Sequence, residues 1–262
     1  MQSVRSVMRA VLFAIAAFGD AAAWAAPEGG AFLGFGASSD GAGGTDYVRF
    51  SPVQRVASLE HGLLAGVFGE GDFRKQYAID ATGALVRINT HFGTVTTIGP
   101  LGIPLGPHVL LAIDPISSLV FMGTNDAACQ TTTFYTVDRV TGAATPSLTL
   151  PPCYQSMVFD SNGNLFLLDR DTEAIAIFSG GSPHELGPLG IPVEDSAVLA
   201  LDPANDSLYL VQFYEGDNRI WFVNATTGSA FPIGQTLGGA GPVAALAFVT
   251  FSEEDIFFNG FD

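Results

Sequence analysis

The 262-residue chain has 10 lysine and arginine side chains against 26 aspartates and glutamates, a formal net charge of −16. Such a surface repels nucleic acid and anionic membranes, so neither is a partner to expect. With 48% hydrophobic residues and 21 phenylalanines, the chain can bury a sizeable core, which excludes a disordered tail or linker.

The first element is a leader. Arg5 and Arg9 precede an apolar run from Ala10 to Gly19, and small residues follow as far as Ala23-Trp24-Ala25. This is the pattern of a cleaved secretory signal over residues 1–25, and the run is about half of the ~20 apolar residues that a spanning helix needs. No cysteine precedes Cys129, so no residue near the cleavage point can carry a lipid anchor. Export removes Arg5, Arg9 and Asp20 and leaves 8 basic against 25 acidic side chains, a charge of −17. Lys75 is the sole lysine. The expected product is an acidic, secreted or periplasmic monomer without a membrane span.

Beyond the leader the chain repeats itself. The string GPLGIP occurs at Gly99–Pro104 and again at Gly187–Pro192, 88 residues apart, or two periods of 44. A second signal is an apolar strand, an aspartate turn and another apolar strand, as in AIDPISSLVFMG from Ala112, VFDSNGNLFLLD from Val158 and ALDPANDSLYLV from Ala200. Leu33, Tyr77, Phe121, Phe166 and Tyr209 mark the same point in five copies. A third signal, a strand followed by a Thr-Gly or Phe-Gly step, reads as a hairpin whose glycine takes a positive φ (VRINTHFGTVTTIG, YTVDRVTGAATPS, WFVNATTGSAFPIG).

Each copy holds four short strands, and no segment shows a helical period. One four-stranded sheet cannot bury both of its faces alone, so the copies must stack around an axis. The expected fold is all-β, a small β-propeller over residues 26–250, with blades at 31–72, 73–118, 119–164, 165–207 and 208–250. Residues 251–262, with IFFNGF at Ile256–Phe261, read either as a closing strand or as a C-terminal tail. The unit QYAIDATGALVRINTHFGTVTTIGPLG, from Gln76 to Gly102, resembles the repeats of exported bacterial β-propeller proteins of uncharacterised function, whose units look like LYAID…TGxLVRIDxxTGxVTxIGxLG. That resemblance covers residues 73–250 and implies a fold, not an activity.

Cys129 and Cys153 fall in loops at one face of the third unit, where an oxidising compartment favours a disulfide over free thiols or a metal pair. Asp114, Asp160 and Asp202 recur at one point of successive units, each opening the link to the next blade, and read as turn formers rather than calcium ligands. Asp80, Asp126, Asp169, Asp171 and Glu215 follow the strands taken as innermost and converge on one mouth of the central channel, where they are the candidate binding residues. Carboxylates gathered there can also hold a cation or a sugar, or act as an acid and base pair.

Five-bladed propellers include glycoside hydrolases that carry carboxylates near the start of the inner strands. The corresponding positions here are Asp72, Ser118, Asn164, Ser207 and Asp255, which is not a matching set. His61, His91, His108 and His184 lack ligand spacing, although His108 and His184 can meet in space. No metal or cofactor signature and no catalytic motif is present. Asn205 and Asn224 sit in glycosylation-type sequons that matter only in a eukaryote. The favoured reading is a non-catalytic propeller that binds a small ligand, a glycan or a protein. The alternative is an extracytoplasmic hydrolase or lyase acting on a carbohydrate or lactone through Asp80, Asp126 and Asp169.

Overall fold

The computed structural model describes residues 30–250 apart from 38–44, 51–53, 60–61, 69–75, 90–93, 203–204 and 237–242. The leader at 1–25 and the segment 251–262 lie outside the described residues, as do Asp72, Lys75, His61, His91 and Asp255.

Among the described residues twenty strands form five four-stranded antiparallel sheets. Four of the sheets are simple meanders. The first runs β4 (Leu63–Phe68), β5 (Gln76–Asp80), β6 (Ala84–Asn89) and β7 (Thr94–Pro100), and the second β8 (Val109–Ile113), β9 (Val120–Asn125), β10 (Thr132–Val137) and β11 (Ala144–Leu150). The third comprises β12 (Tyr154–Phe159), β13 (Leu165–Asp169), β14 (Ala174–Ser179) and β15 (Ser182–Pro188), and the fourth β16 (Val198–Asp202), β17 (Ser207–Tyr214), β18 (Asp217–Val223) and β19 (Ala230–Thr236).

The fifth sheet is composite. β1 (Gly30–Ala37), β2 (Thr45–Phe50) and β3 (Gln54–Leu59) come from the start of the chain, and β20 (Val243–Thr250) returns from its end to pair with β1. β4 packs beside β8, β8 beside β12, β12 beside β16, β16 beside β20 and β20 beside β4. The five strands form a closed ring around an axis, which is the β-propeller arrangement. Among the described residues no helix is long and apolar enough to cross a membrane.

These contacts fix the phase of the repeat. The innermost strands β8, β12 and β16 are the ones before the aspartate turns, and the sheets run 63–100, 109–150, 154–188 and 198–236, one strand out of step with units such as 73–118. Asp114, Asp160 and Asp202 consequently open the hairpin between the first and second strands of one sheet, not a link to the next. Asp114 and Asp160 bond as turn formers. Asp114 Oδ1 accepts the Ile116 amide at 2.9 Å, and Asp160 Oδ1 accepts those of Asn162 and Asn164 at 3.0 and 2.7 Å.

The middle strands read as continuous apolar runs because both of their faces are covered. In β13, Leu165 and Leu167 pack toward the second sheet with Leu110, Phe134 and Tyr154, whereas Phe166 and Leu168 pack toward the fourth with Leu199, Leu208 and Trp221. β9 divides in the same way, Val120 and Met122 facing the first sheet and Phe121 the third. The outermost strands β7, β11 and β15 expose alternate polar residues, as edges facing water do.

The two strongest repeat signals meet at the joints between sheets. Leu101 and Leu189, the leucines of the two GPLGIP copies, are each 1% exposed. The Leu101 amide donates to the Gly83 carbonyl in its own sheet, and its carbonyl accepts the Ala144 amide of the next, both at 3.0 Å. Leu189 repeats the bridge with Glu173 and Ala230 at 2.8 and 2.9 Å. Gly99 lies directly against Thr141-Gly142, and Gly187 against Thr227-Gly228, so the GPLGIP glycine and the Thr-Gly turn are two halves of one contact.

Candidate functional site

Because neighbouring strands are antiparallel, the hairpin between the second and third strands of each sheet emerges at the same end as the link that feeds the next innermost strand. That end carries the hairpins at Asp80–Gly83, Asp126–Thr131, Asp169–Glu173 and Glu215–Gly216, together with links 101–108, 151–153 and 189–197. The five candidate acidic residues thus share one end of the ring, each following the second strand of its sheet rather than the innermost one.

Three of them are tied to their own turns. Asp80, 5% exposed, accepts the Thr82 and Ala84 amides at 2.9 and 3.0 Å and the Thr82 hydroxyl at 2.6 Å. Asp169, also buried, accepts the Asp171 and Thr172 amides at 2.9 and 3.2 Å. Asp126 is exposed and accepts the Gln130 and Ala128 amides and the Thr131 hydroxyl. The Gln130 amide above all, then the Thr131 hydroxyl, holds its carboxyl below the usual carboxylate range. Asp171 and Glu215 are exposed on the rim, and Glu215 pairs with Arg219, whose guanidinium lies 4.9 Å from the centre of the Tyr214 ring.

At the other end Asp138 is likewise held below the carboxylate range, first by the Val140 amide and then by that of Thr141. Both Asp126 and Asp138 give up stability as the pH falls. Their folded pKa values lie below the unfolded value of 3.8, so the contribution is complete above it and is lost as pH falls from there through the depressed values. Urea midpoints measured down through that window should drop less steeply for the Asp126→Asn/Asp138→Asn double variant than for the parent.

The residues immediately before the innermost strands are Gly62, His108, Cys153 and Ala197 among the described residues, and none is a carboxylate. Around the second and third of these the structure gathers a cluster. Cys129, on the β9–β10 hairpin, is disulfide-bonded to Cys153, with Cα atoms 5.0 Å apart, inside the range that a bridge spans. His108 lies beside them, its Nε2 3.2 Å from Arg170 Nη1, and Arg170 also pairs with Asp195. Burial chiefly, and then the Arg170 charge, lowers the His108 pKa, while Asp195 raises it. The imidazole is therefore neutral near pH 7 and able to accept from Arg170. His184 does not join it. It lies on the outermost strand β15, beside Ser182.

A buried polar layer supports this cluster. Thr132 Oγ1 accepts the Tyr154 amide at 2.9 Å and an Asn125 side-chain N–H at 2.8 Å, and it donates to the Pro152 carbonyl at 3.1 Å. Gln155 donates to the Glu194 carbonyl at 2.6 Å, and Gln212 both accepts the Glu194 amide and donates to the Pro192 carbonyl, each at 2.9 Å. The Asn125 Oδ1 and Gln155 Oε1 acceptors are buried and without a protein partner. Tyr154, 2% exposed, has its phenol pushed up to about 12 by burial and then by the Asp169 charge. Arg170, Asp195, Asn125 and Gln155 carry no motif and escape a sequence reading. One signal was available: His108, Cys153 and Ala197 recur at spacings of 45 and 44, the same phase of successive repeats.

Serine at both cysteines is expected to lower stability by about 3 kcal/mol, since the bridge closes a 24-residue separation. Urea denaturation of the Cys129→Ser/Cys153→Ser variant against the oxidised parent measures it.

The fold and this end of the ring define a β-propeller protein. One solved structure agrees on the fold, and two others are similar over part of the chain. A chain from the crystal structure of a nidogen–laminin complex matches with 13% identity and a TM-score of 0.56, covering 84% of this chain and 98% of that one. Virginiamycin B lyase from Staphylococcus aureus matches with 17% identity over 66% of this chain and 55% of that one, at a TM-score of 0.43. A streptogramin B lyase matches with 13% identity over 78% and 69%, at 0.44. No protein-family model and no curated protein matches the sequence.

Proposed function

We propose that the protein is an exported binding module that recognises a polar ligand or partner at the end of the ring bearing His108, Arg170 and Asp195. One observation carries this reading. The β13–β14 hairpin and the link into β16 hold Arg170 and Asp195 at the surface over a buried polar layer in which Asn125 Oδ1 and Gln155 Oε1 lack donors. Buried amide oxygens are rarely left bare, so a water or a donor from a bound group completes them. The rim carboxylates Asp126, Asp171 and Glu215 extend the same surface.

The acidic residues do not favour the hydrolase reading. A general acid at neutral pH needs a raised pKa, and Asp126 is held in the opposite direction while Asp80 and Asp169 serve as acceptors for their own turns. Export is supported by the Cys129–Cys153 bridge, which suits an oxidising compartment, and by the leader pattern. The repeat resemblance in Gln76–Gly102 supports kinship with the exported bacterial propeller-repeat proteins.

A glycan array probed with the mature protein, followed by calorimetry on each hit, tests the reading. Binding should weaken about tenfold or more in Arg170→Ala or Gln155→Leu, the loss of one charged or buried polar contact. Turnover of a bound glycan, or affinities that neither variant alters, would overturn it.

A further inference from the structure

The closest gathering of metal-ligating atoms among the described residues lies at the disulfide itself. One ring nitrogen of His108 and the two sulfurs of Cys129 and Cys153 all fall within 4.8 Å of one another. Cys153 is buried, whereas His108 and Cys129 are half-exposed, so the group has a dry floor and an open side. The three donors come from separate pieces of chain: the link into β8, the β9–β10 hairpin and the link into β12. Each is anchored independently of the S–S bond. The Gly106 amide donates to Thr124 Oγ1 at 2.7 Å two residues before His108, and the Cys129 amide donates to the Asp126 carbonyl at 3.0 Å. The Cys153 carbonyl accepts the Arg170 amide at 3.4 Å, while the Tyr154 amide beside it is held by Thr132.

We propose that reduction of the Cys129–Cys153 disulfide converts this group into a three-ligand site for a borderline-soft divalent cation of the zinc class. A dithiol reductant delivers two electrons and two protons. The S–S bond breaks, two S–H bonds form, and the reductant closes to its own disulfide. The cation then binds as both thiol protons leave to solvent, two sulfur–metal bonds form, and a neutral His108 nitrogen donates the third. Two thiolates cancel the charge of a divalent ion, and a pair of sulfurs with one imidazole is a donor set that such ions favour. A tetrahedral ion keeps its fourth position on the open side, for water or an outside ligand. Arg170, 3.2 Å from His108 Nε2, keeps Asp195 as its partner whichever ring nitrogen binds the ion. The bridge and the metal site are alternative states of one set of atoms, so oxidation expels the ion.

Cobalt(II) is a suitable probe, because its thiolate charge-transfer and visible ligand-field bands report sulfur ligation and tetrahedral geometry. The mature protein, reduced with a phosphine under argon and freed of reductant, should bind one cobalt ion with both sets of bands. Zinc should displace it. The oxidised protein should give neither band, and neither should Cys129→Ser/Cys153→Ser. His108→Ala, reduced in the same way, should bind cobalt about tenfold or more weakly and with altered ligand-field bands. A reduced, folded protein without charge-transfer absorption would sink the proposal, as would a His108→Ala titration identical to the parent. Loss of the β-sheet circular dichroism signal on reduction would also overturn it, since the site requires the fold to outlast the bridge.

Discussion

Alanine at Gly142 or Gly228 is expected to destabilise the protein by roughly 2–5 kcal/mol, far more than alanine at Gly102 or Gly190. All four glycines have nearly the same positive φ, +80° and +75° for the first pair and +75° and +74° for the second. Left-handed strain for a residue with a Cβ is about 1–2 kcal/mol, so it contributes equally to every member of the set. The difference lies in what the new methyl group meets. At Gly102 and Gly190 it enters open space. At Gly142 it would collide with the Gly99 carbonyl, and at Gly228 with the Gly187 carbonyl, both of them backbone of the adjoining sheet. Backbone held on two sides cannot step aside, so the joint between sheets must open, and Leu101 or Leu189 beside it loses part of its burial. Urea midpoints for the four single variants are the measurement. Equal losses would show that the contact between the two glycines has no energetic part in joining the sheets.

The same pair of motifs marks how far the sequence could be read. GPLGIP and the Thr-Gly step were legible as a period because they recur, and their recurrence requires side-by-side copies of a four-stranded unit. Their purpose was not legible, since Gly99 and Gly142 stand 43 residues apart and belong to different sheets. A cyclic repeat can also be cut at any strand without changing its period. The recurrence of Tyr77, Phe121, Phe166 and Tyr209 suggests a cut before each of them, which makes those strands innermost. Contacts among β4, β8, β12, β16 and β20 place it one strand earlier.

That single step of phase decides which residues the sequence places at the site. Asp80, Asp126, Asp169, Asp171 and Glu215 were visible because an acid at a turn stands out against apolar strands, and they do share one end of the ring. For His108 the sequence suggests no partner but His184, because the link that delivers His108 to an innermost strand carries no mark of being one. Cys129 and Cys153 were legible as a pair from their loops alone. The neighbours Arg170 and Asp195 reach that pair only through folding, across 17 or more residues of chain, and no local pattern announces them.

Ring closure gives the second large effect. A chain ending at residue 242 is expected to lose its folded population, not merely some stability. β20 is the innermost strand of the composite sheet: it pairs with β1 from Gly30↔Thr250 to Gly36↔Val243 and packs beside both β4 and β16. Without it β1 presents a bare edge at the centre of the molecule, the first and fourth sheets lose a shared neighbour, and the ring opens. A propeller's sheets bury their faces only against one another, so a break at one joint is felt around the circle. The total margin of a domain, about 5–15 kcal/mol, is small beside the loss of an eight-residue central strand, and the exposed edge invites pairing between molecules. The truncated chain should therefore elute as aggregate and lack a cooperative urea transition. A circular permutant separates the loss of the strand from the loss of its position in sequence. Thr250 stands opposite Gly30, so a short turn can join β20 directly to β1 as a hairpin, with new termini opened between residues 242 and 243. That permutant should be monomeric and regain a single transition near the parent midpoint, because the ring needs β20 beside β1 and is indifferent to which end of the chain supplies it. A truncated chain that unfolds cooperatively at the parent's midpoint would mean that the other four sheets hold together as an open arc.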